Sequence, residues 1–367
     1  MNTALIVGAT GVIGEAALTY FAKAENWDAI ALSRRTPEPL CDRTSFRHMP
    51  LDLLDAAATR DACHSLNDVT HVIYAAVAEQ AGLVSGWHDT QQMQVNLSML
   101  KNLLEPLRRS APNLQHVSLL QGAKAYGAHA GHITPIPARE HAPRVQHNNF
   151  YWLQEDYLKK TAELSGFNWT IFRPQVVVGS TSGAAMNPLL AFAAYAAIRR
   201  EEGMPFSFPG GALQLAEIVD AELIAEALGW ATTATTAKQN TFNISNGDVC
   251  AWRELWPTLA REFDIKLGPD EAMPLATYLL RRNTLWQHIA QQHNLKIHDL
   301  KSFLGESHHY ADILLRANSQ SIQHPILLST IKLRHAGFSA CRDSESVVVR
   351  LIDEMKDRRL IPKILKR

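Results

Sequence analysis

Near its start the chain reads Gly8-Ala9-Thr10-Gly11-Val12-Ile13-Gly14, directly after the apolar run Ala4-Leu5-Ile6-Val7. The spacing G-x-x-G-x-x-G is a variant of the fingerprint that joins the first strand of a dinucleotide-binding sheet to its first helix. Glycines allow a tight turn there, and the free N–H groups at the helix N-terminus attract phosphate. The strand before it and the helix after it favour this interpretation over a glycine-rich turn between unrelated elements. The predicted cofactor-binding residues of the turn are Gly8, Thr10, Gly11, Val12, Ile13 and Gly14.

Short apolar runs continue along the first half of the chain and are typical of strands buried on both faces. After the first run they cover residues 29–32, 71–75, 116–120 and 169–172. Helical patterns separate them, and the clearest has an apolar stripe at steps of four and three residues, formed by Met93, Leu97, Leu100, Leu104 and Leu107. We expect Pro106 to kink or end that helix, and a second helix over residues 152–164. This alternation predicts an α/β fold of the Rossmann type, a doubly wound parallel sheet with helices on both faces.

The second half of the chain has a different pattern. Residues 186–200, 220–231, 252–263, 274–293 and 344–357 are typical of helices, and runs typical of strands are few and short. We therefore predict an NADP(H)-binding Rossmann domain over residues 1–175, with a return segment at about 210–250. A smaller, mostly helical substrate-binding region is predicted over residues 176–210 and 251–367. Within it, the apolar run at 186–195 is expected to form a buried helix that also lines the substrate cavity.

Composition limits the class of protein. The length of 367 residues predicts about two domains. The 36 Lys and Arg balance the 36 Asp and Glu, and the pI is near 7.3. This balance argues against nucleic-acid binding and against attraction to anionic membranes. The longest apolar run, residues 188–198, is shorter than the ~20 residues that a membrane-spanning helix needs, and no basic segment typical of a signal peptide precedes the first strand.

Cysteine usage points to a compartment. The four cysteines, Cys41, Cys63, Cys250 and Cys341, are scattered, and no C-x-x-C motif is present. A disulfide framework or a zinc knuckle is therefore not expected, and a reducing cytoplasm is. We expect a soluble enzyme with a small-molecule substrate, and a homodimer is compatible with the sequence.

The type of cofactor is read at the end of the second predicted strand. An acidic residue there would bind the ribose 2′-hydroxyl of NAD, but this chain has Ser33-Arg34-Arg35, and Arg34 lies twenty residues after Gly14. Two guanidinium groups suit a 2′-phosphate, so the sequence predicts NADPH/NADP⁺; the alternative is a pair of solvated loop arginines. Asp52 and Leu53 are expected to flank the adenine, although a turn aspartate would look the same. Ala76 and Val177 complete the predicted cofactor-binding set.

The usual catalytic dyad of such proteins is absent. The layout resembles the extended short-chain dehydrogenase/reductase superfamily, whose members carry Tyr-x-x-x-Lys on one helix face. The residues four positions after the eight tyrosines are Ala24, Ala78, Ala130, Glu155, Thr161, Arg199, Arg282 and Leu314. None is a lysine. Either catalysis has been lost or the lysine comes from elsewhere in the chain.

Two motifs in the middle of the chain favour the second alternative. The loop after the predicted strand at 116–120 reads Gln121-Gly122-Ala123-Lys124-Ala125-Tyr126, and a later stretch reads Asn149-Phe150-Tyr151-Trp152-Leu153-Gln154-Glu155-Asp156. Together with residues 173–174, 220–226, 242–248 and 335–338, they resemble the progesterone 5β-reductase and iridoid synthase-like enone reductases over nearly the whole chain. This family is an atypical branch of the extended short-chain superfamily, with its lysine in that loop and its tyrosine in an N-F-Y-Y-x-x-E-D motif.

The resemblance implies that Tyr151 and Lys124 are the catalytic pair and that Tyr151 also binds the cofactor. Tyr126 is the alternative for the acid role, because many extended reductases have a tyrosine after the fifth strand. Trp152 stands where the family usually has a second tyrosine, and residues 127–130 replace a proline and an aromatic residue of plant members. Glu155, four residues after Tyr151, is expected to point away from the nicotinamide into a structural polar contact.

By this resemblance the chain is expected to catalyse NADPH-dependent 1,4-reduction of the activated C=C bond of apolar, small to steroid-like α,β-unsaturated ketones or aldehydes. The alternatives are a carbonyl reductase or epimerase of the extended short-chain family and a non-catalytic protein that senses NADP(H). No metal is expected, because His308-His309 have no carboxylate partner at helical spacing.

Overall fold

The computed structural model describes residues 1–38, 45–130, 135–322 and 324–363, without the side chain of Ala128. Cys41 lies outside the described residues; Cys63, Cys250 and Cys341 are free thiols. In chain order the strands are β1 Asn2–Val7, β2 Trp27–Ser33, β3 Arg47–Pro50, β4 His71–Tyr74, β5 His116–Leu120, β6 Asn168–Pro174, β7 Val176–Val178, β8 Leu215–Ala216, β9 Ile218–Asp220, β10 Asn240–Ile244 and β11 Cys250–Ala251.

Helices follow or surround these strands. In chain order the α-helices are α1 Val12–Lys23, α2 Ala56–Cys63, α3 Val84–His88, α4 Thr90–Ser110, α5 Phe150–Ser165, α6 Pro188–Glu201, α7 Ala221–Thr233, α8 Trp252–Glu262, α9 Leu275–Leu280, α10 Asn283–Gln292, α11 Leu300–Leu304, α12 Ser307–Leu315, α13 Ile331–His335 and α14 Ser344–Asp357. Short 3₁₀ helices cover Ala123–Tyr126, Ala128–Ala130 and Thr235–Ala237.

Seven strands form one sheet in the order β10-β6-β5-β4-β1-β2-β3, and all of its pairings are parallel. The predicted fold class is confirmed. The strand order reverses between β1 and β4, and ligands of open α/β sheets bind in the crevice at the carboxyl ends of the strands at such a point. Two short pairs, β7 with β9 and β8 with β11, lie beside the main sheet.

Each face of the sheet is covered by helices. On one face α1 packs on α7, with Phe21 and Leu228 in the buried layer. On the other face α4 packs on α2 and α5, with Leu104 and Leu158 between helix and sheet. The central strands β1, β2, β4 and β5 are mostly buried because both of their faces meet helices.

The C-terminal helices form a second core around α6, which is buried from Pro188 to Arg199. Phe206 stacks on Trp256 with ring centroids 4.6 Å apart. The indole N–H of Trp256 donates to the Ser207 carbonyl (3.2 Å), as a buried tryptophan requires. The described residues contain no helix of the length and apolarity needed to cross a membrane. The predicted domain boundaries stay a prediction.

The structure corrects three local expectations. Helix α4 continues past Pro106 to Ser110, so Pro106 does not end it, and the expected kink stays a prediction. The helix predicted over 274–293 is two helices, α9 and α10, because the Arg282 N–H turns back to Leu279 O (2.9 Å) and closes a tight turn between them. The buried helix expected from residue 186 begins at Pro188, whose fixed φ suits the first helical position.

Candidate active site

The glycine turn connects β1 to α1 and approaches the end of β4 closely. Gly8 has φ +85°, and a Cβ built on it would lie 2.8 Å from the backbone N of Ala76. A Cβ on Gly14 would lie 2.0 Å from the Gly8 carbonyl oxygen. Both positions therefore require glycine. No side chain caps α1 at Gly11, so its first backbone N–H groups are available to an anion, and this cradle fits the pyrophosphate of a dinucleotide.

The arginines predicted to select the cofactor lie beside this turn. Ser33 ends β2, and its buried hydroxyl donates to the Arg35 carbonyl (2.7 Å). The Arg35 side chain is exposed and donates from Nη2 to the carbonyl of Thr10 (3.4 Å). Arg34 is exposed as well. The contact between Arg35 and Thr10 thus brings the end of β2 next to the glycine turn. A site for a phosphorylated ribose requires this proximity, because the ribose is joined to the pyrophosphate.

Of the predicted cofactor residues Asp52, Leu53, Ala76 and Val177, two line the cavity described below and two do not. Ala76 and Val177 line the same cavity as Gly11. The Asp52 carboxylate accepts from the Leu54 N–H (3.0 Å) and so closes a local turn. The Leu53 side chain is 4% exposed and packs in the core beneath α2 and α4. The side chain of Leu53 therefore packs in the core, and only the Leu53 backbone, just after β3, could reach a cofactor.

A cavity of about 550 Å³ lies over the carboxyl ends of the central strands. Its walls come from the glycine turn, the loops after β4 and β5, the start of α5, the face of α12 and residues 324–326. The apolar residues include Val12, Trp87, Phe150, Ala184, Met186, Trp252, Ile313, Leu314 and Ile326. The polar ones include Gln121, Lys124, His129, Tyr151, Gln175, Gln214, Tyr310, Arg316 and His324. Of the run at 186–195, only Met186 is in the lining, so the expectation that α6 lines the cavity was wrong for its helical part.

Lys124 and Tyr151 meet at this cavity. Lys124 lies in the 3₁₀ helix after β5, and Tyr151 is the second residue of α5. Asn149 joins them through the backbone: its Oδ1 accepts from the Tyr151 N–H (3.0 Å), and its Nδ2 donates to the Lys124 carbonyl (3.0 Å). Asn149 is thus at once the N-cap of α5 and the link between the two candidate catalytic residues.

A buried polar network supports Tyr151 from the opposite side. Gln121 Nε2 donates to the Tyr151 carbonyl (3.1 Å) and lies 3.2 Å from Glu155 Oε2. Arg173 donates to Gln121 through Nε (2.9 Å) and to Glu155 through Nη2 (3.0 Å). Lys159 also pairs with Glu155 (2.6 Å). The expected structural polar contact of Glu155 is confirmed.

The protonation state of Tyr151 follows from its surroundings. Burial raises the pKa of the Tyr151 hydroxyl above its usual range, and the charge of Glu79 raises it further. A Cβ on Gly122 would lie 3.2 Å from the Tyr151 hydroxyl oxygen. Glycine at this position therefore leaves space beside the hydroxyl. Tyr151 is therefore a neutral hydrogen-bond donor at physiological pH.

Lys124 has a carboxylate partner that the sequence did not indicate. Its ammonium lies 3.3 Å from Glu79 Oε1 and 4.0 Å from the centroid of the Trp87 ring. Burial lowers the pKa of Lys124, while the charge and hydrogen bond of Glu79 act in the opposite direction. The pair places a cation at the cavity wall and its counter-ion behind it.

Three further features of the sequence can now be located: the alternative acid Tyr126, the departure at Trp152, and the departure in the segment 127–130. The Tyr126 hydroxyl donates to Asn243 Oδ1 in the core. The centroid of the Trp152 ring lies 4.6 Å from the guanidinium of Arg144 and 5.2 Å from that of Arg173, and Trp152 is not in the cavity lining. His129, from the segment 127–130, is in the lining. The histidine therefore affects the cavity directly and the tryptophan does not.

The adjacent histidines do have a carboxylate neighbour. Glu306, His308 and His309 have potential ligand atoms within 4.8 Å of one another, in contrast to the expectation that no carboxylate stands beside them. Glu306 accepts from the Gly82 N–H (2.8 Å), however, which gives it a structural role. Burial lowers the pKa of His308 to about 4, so its imidazole is neutral. The absence of a metal stays a prediction.

Comparison with known proteins agrees with this geometry. Residues 4–245 match the NAD dependent epimerase/dehydratase family. The chain is 30% identical to (S)-8-oxocitronellyl enol synthase of Antirrhinum majus, covering 98% of this chain and 93% of the relative. It is also 30% identical to 3-oxo-Delta(4,5)-steroid 5-beta-reductase of Arabidopsis thaliana, with the same coverage. Among solved structures, the UDP-glucose 4-epimerase of Thermotoga maritima superposes with a TM-score of 0.67 at 13% identity, over 97% of this chain and 99% of the epimerase. This last likeness concerns the fold.

Proposed function

The chain belongs to the NAD dependent epimerase/dehydratase family, in the branch of the 8-oxocitronellyl enol synthases and steroid 5β-reductases, and we propose that it is an NADPH-dependent enone reductase. The reaction is 1,4-reduction of the activated C=C bond of an α,β-unsaturated ketone or aldehyde. The observation that carries the proposal is that Tyr151 and Lys124 line one largely apolar cavity together with the phosphate-binding turn. The similarity to a 3-oxo-Delta(4,5)-steroid 5-beta-reductase and to (S)-8-oxocitronellyl enol synthase over 98% of this chain supports the same reaction class.

The cofactor would be held by two parts of the chain. The glycine turn would bind the pyrophosphate at the uncapped end of α1, and Arg34 and Arg35 would bind the ribose 2′-phosphate. When bound, NADPH supplies the hydride that reduces the β-carbon of the substrate.

Tyr151 is proposed as the electrophilic group of the site. Its hydroxyl donates a hydrogen bond to the substrate carbonyl oxygen as negative charge develops there, which is the role of an oxyanion hole. Because burial raises the pKa of Tyr151, the hydroxyl keeps its proton and acts as a donor and not as a base. The fixed backbone of Tyr151, held by Asn149 and Gln121, orients this donor before the substrate arrives.

Lys124 is proposed as the cation of the site. Its ammonium favours negative charge on the substrate oxygen and anchors the cofactor ribose. The mostly apolar walls limit access of water, which strengthens both interactions. The proton that the α-carbon needs comes from solvent. Substrates would be apolar enones, and a cavity of about 550 Å³ sets their size.

The test is NADPH consumption with 2-cyclohexen-1-one and with progesterone, followed by product analysis. We expect cyclohexanone from the first substrate and a saturated 3-ketosteroid from the second, with no consumption of NADPH when cyclohexanone replaces the enone. An allylic alcohol as the product would identify a carbonyl reductase instead. Tight NADPH binding without turnover of any enone would identify a nucleotide sensor.

The remaining features are proposed from the sequence. Scattered cysteines, three of them free in the structure, suit a reducing cytoplasm. A homodimer, and the absence of nucleic-acid and membrane partners, remain predictions based on composition and charge.

A further inference from the structure

The loop after β4 places a carboxylate directly behind the candidate catalytic lysine. Glu79 Oε1 lies 3.3 Å from Lys124 Nζ. Its other oxygen, Oε2, accepts from Trp87 Nε1 (3.2 Å) and from Gln92 Nε2 (3.0 Å). The Glu79 side chain is only 3% exposed. Three donors therefore fix a buried carboxylate, and one of these donors is Lys124.

This arrangement meets a physical requirement of the site. A buried ammonium loses its hydration, and burial alone favours the neutral amine. The other titratable groups that line the cavity are Tyr151 from α5, Tyr310 from α12, His129 from the second 3₁₀ helix, Arg316 just after α12, and His324. None of them is an anion at neutral pH. In the described part of the chain, Glu79 is the carboxylate within ion-pair distance of Lys124.

The same contact fixes the position of the ammonium. Lys124 Nζ lies over the face of Trp87, 4.0 Å from the ring centroid, and Trp87 is itself hydrogen-bonded to Glu79. Met186 Sδ lies 4.0 Å from Nζ on the cavity side. The flexible lysine stem thus ends between a carboxylate, an aromatic face and a thioether, which leaves the ammonium little freedom to move.

We propose that Glu79 is a positioning residue for the reductase reaction, and that its carboxylate keeps Lys124 protonated and fixed at the cavity wall. Glu79 does not line the cavity. It contacts Lys124 directly, and its charge also raises the pKa of the Tyr151 hydroxyl. This inference rests on the proposed function, because it assumes that a cationic Lys124 is needed for turnover. A merely structural Glu79, which holds the loop through Trp87 and Gln92, would affect activity equally at every pH.

The first experiment compares the pH profiles of kcat/KM of the wild type, Glu79→Gln, Lys124→Arg and the double variant. Without the carboxylate the pKa of Lys124 falls, so in Glu79→Gln the loss of activity on the alkaline side begins about one pH unit or more lower. The double variant regains activity on the alkaline side, since a guanidinium stays charged there. The alkaline limb is the part of each profile where kcat/KM falls as the pH rises. The proposal is overturned if this limb lies at the same pH in Glu79→Gln and the wild type, or at the same pH in Glu79→Gln and the double variant.

Two further variants separate charge from folding. Glu79→Asp keeps the negative charge and should keep the alkaline limb near that of the wild type, even if kcat falls because the shorter side chain contacts Lys124 less well. Glu25→Gln removes an exposed carboxylate beyond α1 and should leave the profile unchanged. If Glu79→Gln does not fold, Glu79→Asp alone decides. A loss of activity in Glu79→Asp that begins about one pH unit or more below that of the wild type would contradict the proposal, because the negative charge is still present.

A readout without turnover distinguishes this inference from the proposed function. The Lys124 side-chain NMR signal, assigned by its loss in Lys124→Arg, reports the pKa of Lys124 directly. That pKa should be lower in Glu79→Gln than in the wild type. If no enone is reduced by the wild type, the proposed function fails while this comparison still decides whether Glu79 holds the proton on Lys124.

Discussion

Nη2 of Arg173 lies 3.0 Å from Oε2 of Glu155, and both side chains are about 5% exposed. Glu155 is four residues after Tyr151 on α5, the position of the lysine in the usual dyad. Its carboxylate is directed into the protein, where it also meets Lys159 and Arg144. A carboxylate in this place links α5 to Arg173 on β6, and the cationic role is proposed for Lys124 from another element.

Glu155 is therefore expected to contribute stability and not chemistry. Burial alone would raise the pKa of Glu155, but the hydrogen bonds and charges of Lys159, Arg173 and Arg144 lower it to about 2. A folded pKa below the unfolded value near 4.5 gives stability that is present above pH ~4.5 and is lost as the pH falls towards 2. Glu155→Gln should cost about 3–5 kcal/mol, because Arg173 remains buried without its anion. Asp156→Asn, at an exposed position with a partner in Arg144, should cost less than about 1 kcal/mol. Urea unfolding at pH 7 and at pH 3 measures both effects, and equal costs for the two variants would contradict this role.

Tyr151→Phe tests the hydrogen-bond donor. The ring stays and only the hydroxyl is lost, so folding and NADPH affinity should be retained. As the loss of one oxyanion donor, the substitution should lower kcat by roughly 10²–10³. Tyr126→Phe is the matched control, since its hydroxyl contacts Asn243 in the core, and it should affect stability more than kcat. Steady-state kinetics on two enones decide the matter; a Tyr151→Phe enzyme as active as the wild type on both would exclude the proposed role.

Lys124 should not be replaceable from position 155. Lys124→Ala should lower kcat strongly, and Lys124→Arg should restore it only in part, because a planar guanidinium does not replace a compact ammonium. Adding Glu155→Lys to Lys124→Ala should give no rescue, since position 155 faces the Arg173 guanidinium and not the cavity. Kinetics and thermal melting of the three variants are the measurement. Rescue by Glu155→Lys would show that the α5 position reaches the cofactor after all.

Arg34 and Arg35 should select the phosphorylated cofactor. Each charge-assisted contact to a 2′-phosphate is worth ~1.5–3 kcal/mol, so Arg34→Ala should weaken NADPH binding by about tenfold or more and leave NADH binding nearly unchanged. Arg47→Ala, on β3 with its partner Asp68 at the surface, is the control and should change neither. Calorimetric titration with both cofactors tests the assignment, which fails if NADH binding falls as much as NADPH binding.

Gly14→Ala should damage the cofactor site by steric contact. The added Cβ would come within 2.0 Å of the Gly8 carbonyl oxygen, so α1 must move away from β1. NADPH affinity and stability should fall together. Gly166→Ala is a useful contrast, because φ is +80° there but nothing lies within 4 Å of the new Cβ; it should cost stability through backbone strain alone and leave NADPH affinity intact. Equal NADPH affinity of Gly14→Ala and the wild type would contradict the cradle.

Local sequence determined the first half of the fold. The apolar run before Gly8 and the glycines up to Gly14 specify strand, turn and helix within a few residues, because steric limits on φ and the period of apolar residues act at short range. Repetition of strand and helix then requires a parallel sheet. The candidate residues Lys124 and Tyr151 were predicted from the sequence through the resemblance of two contiguous motifs to a known family, and not from the local sequence pattern alone. The edge strand β10 was not recognised as a strand, because Asn240–Ile244 is short and mixes polar with apolar residues.

Only the tertiary structure decided what surrounds the candidate residues. Glu79 is 45 positions from Lys124, and Glu155 meets Arg173 across 18 positions. Which carboxylate reaches which cation depends on strand order and loop packing, and a single sequence has no periodic signal for such a contact. The same holds for residues 324–326, which complete the cavity from the far end of the chain. A buried ion pair is stable only where folding excludes water from both partners, so the charge state of this site is a property of the folded protein and not of any segment.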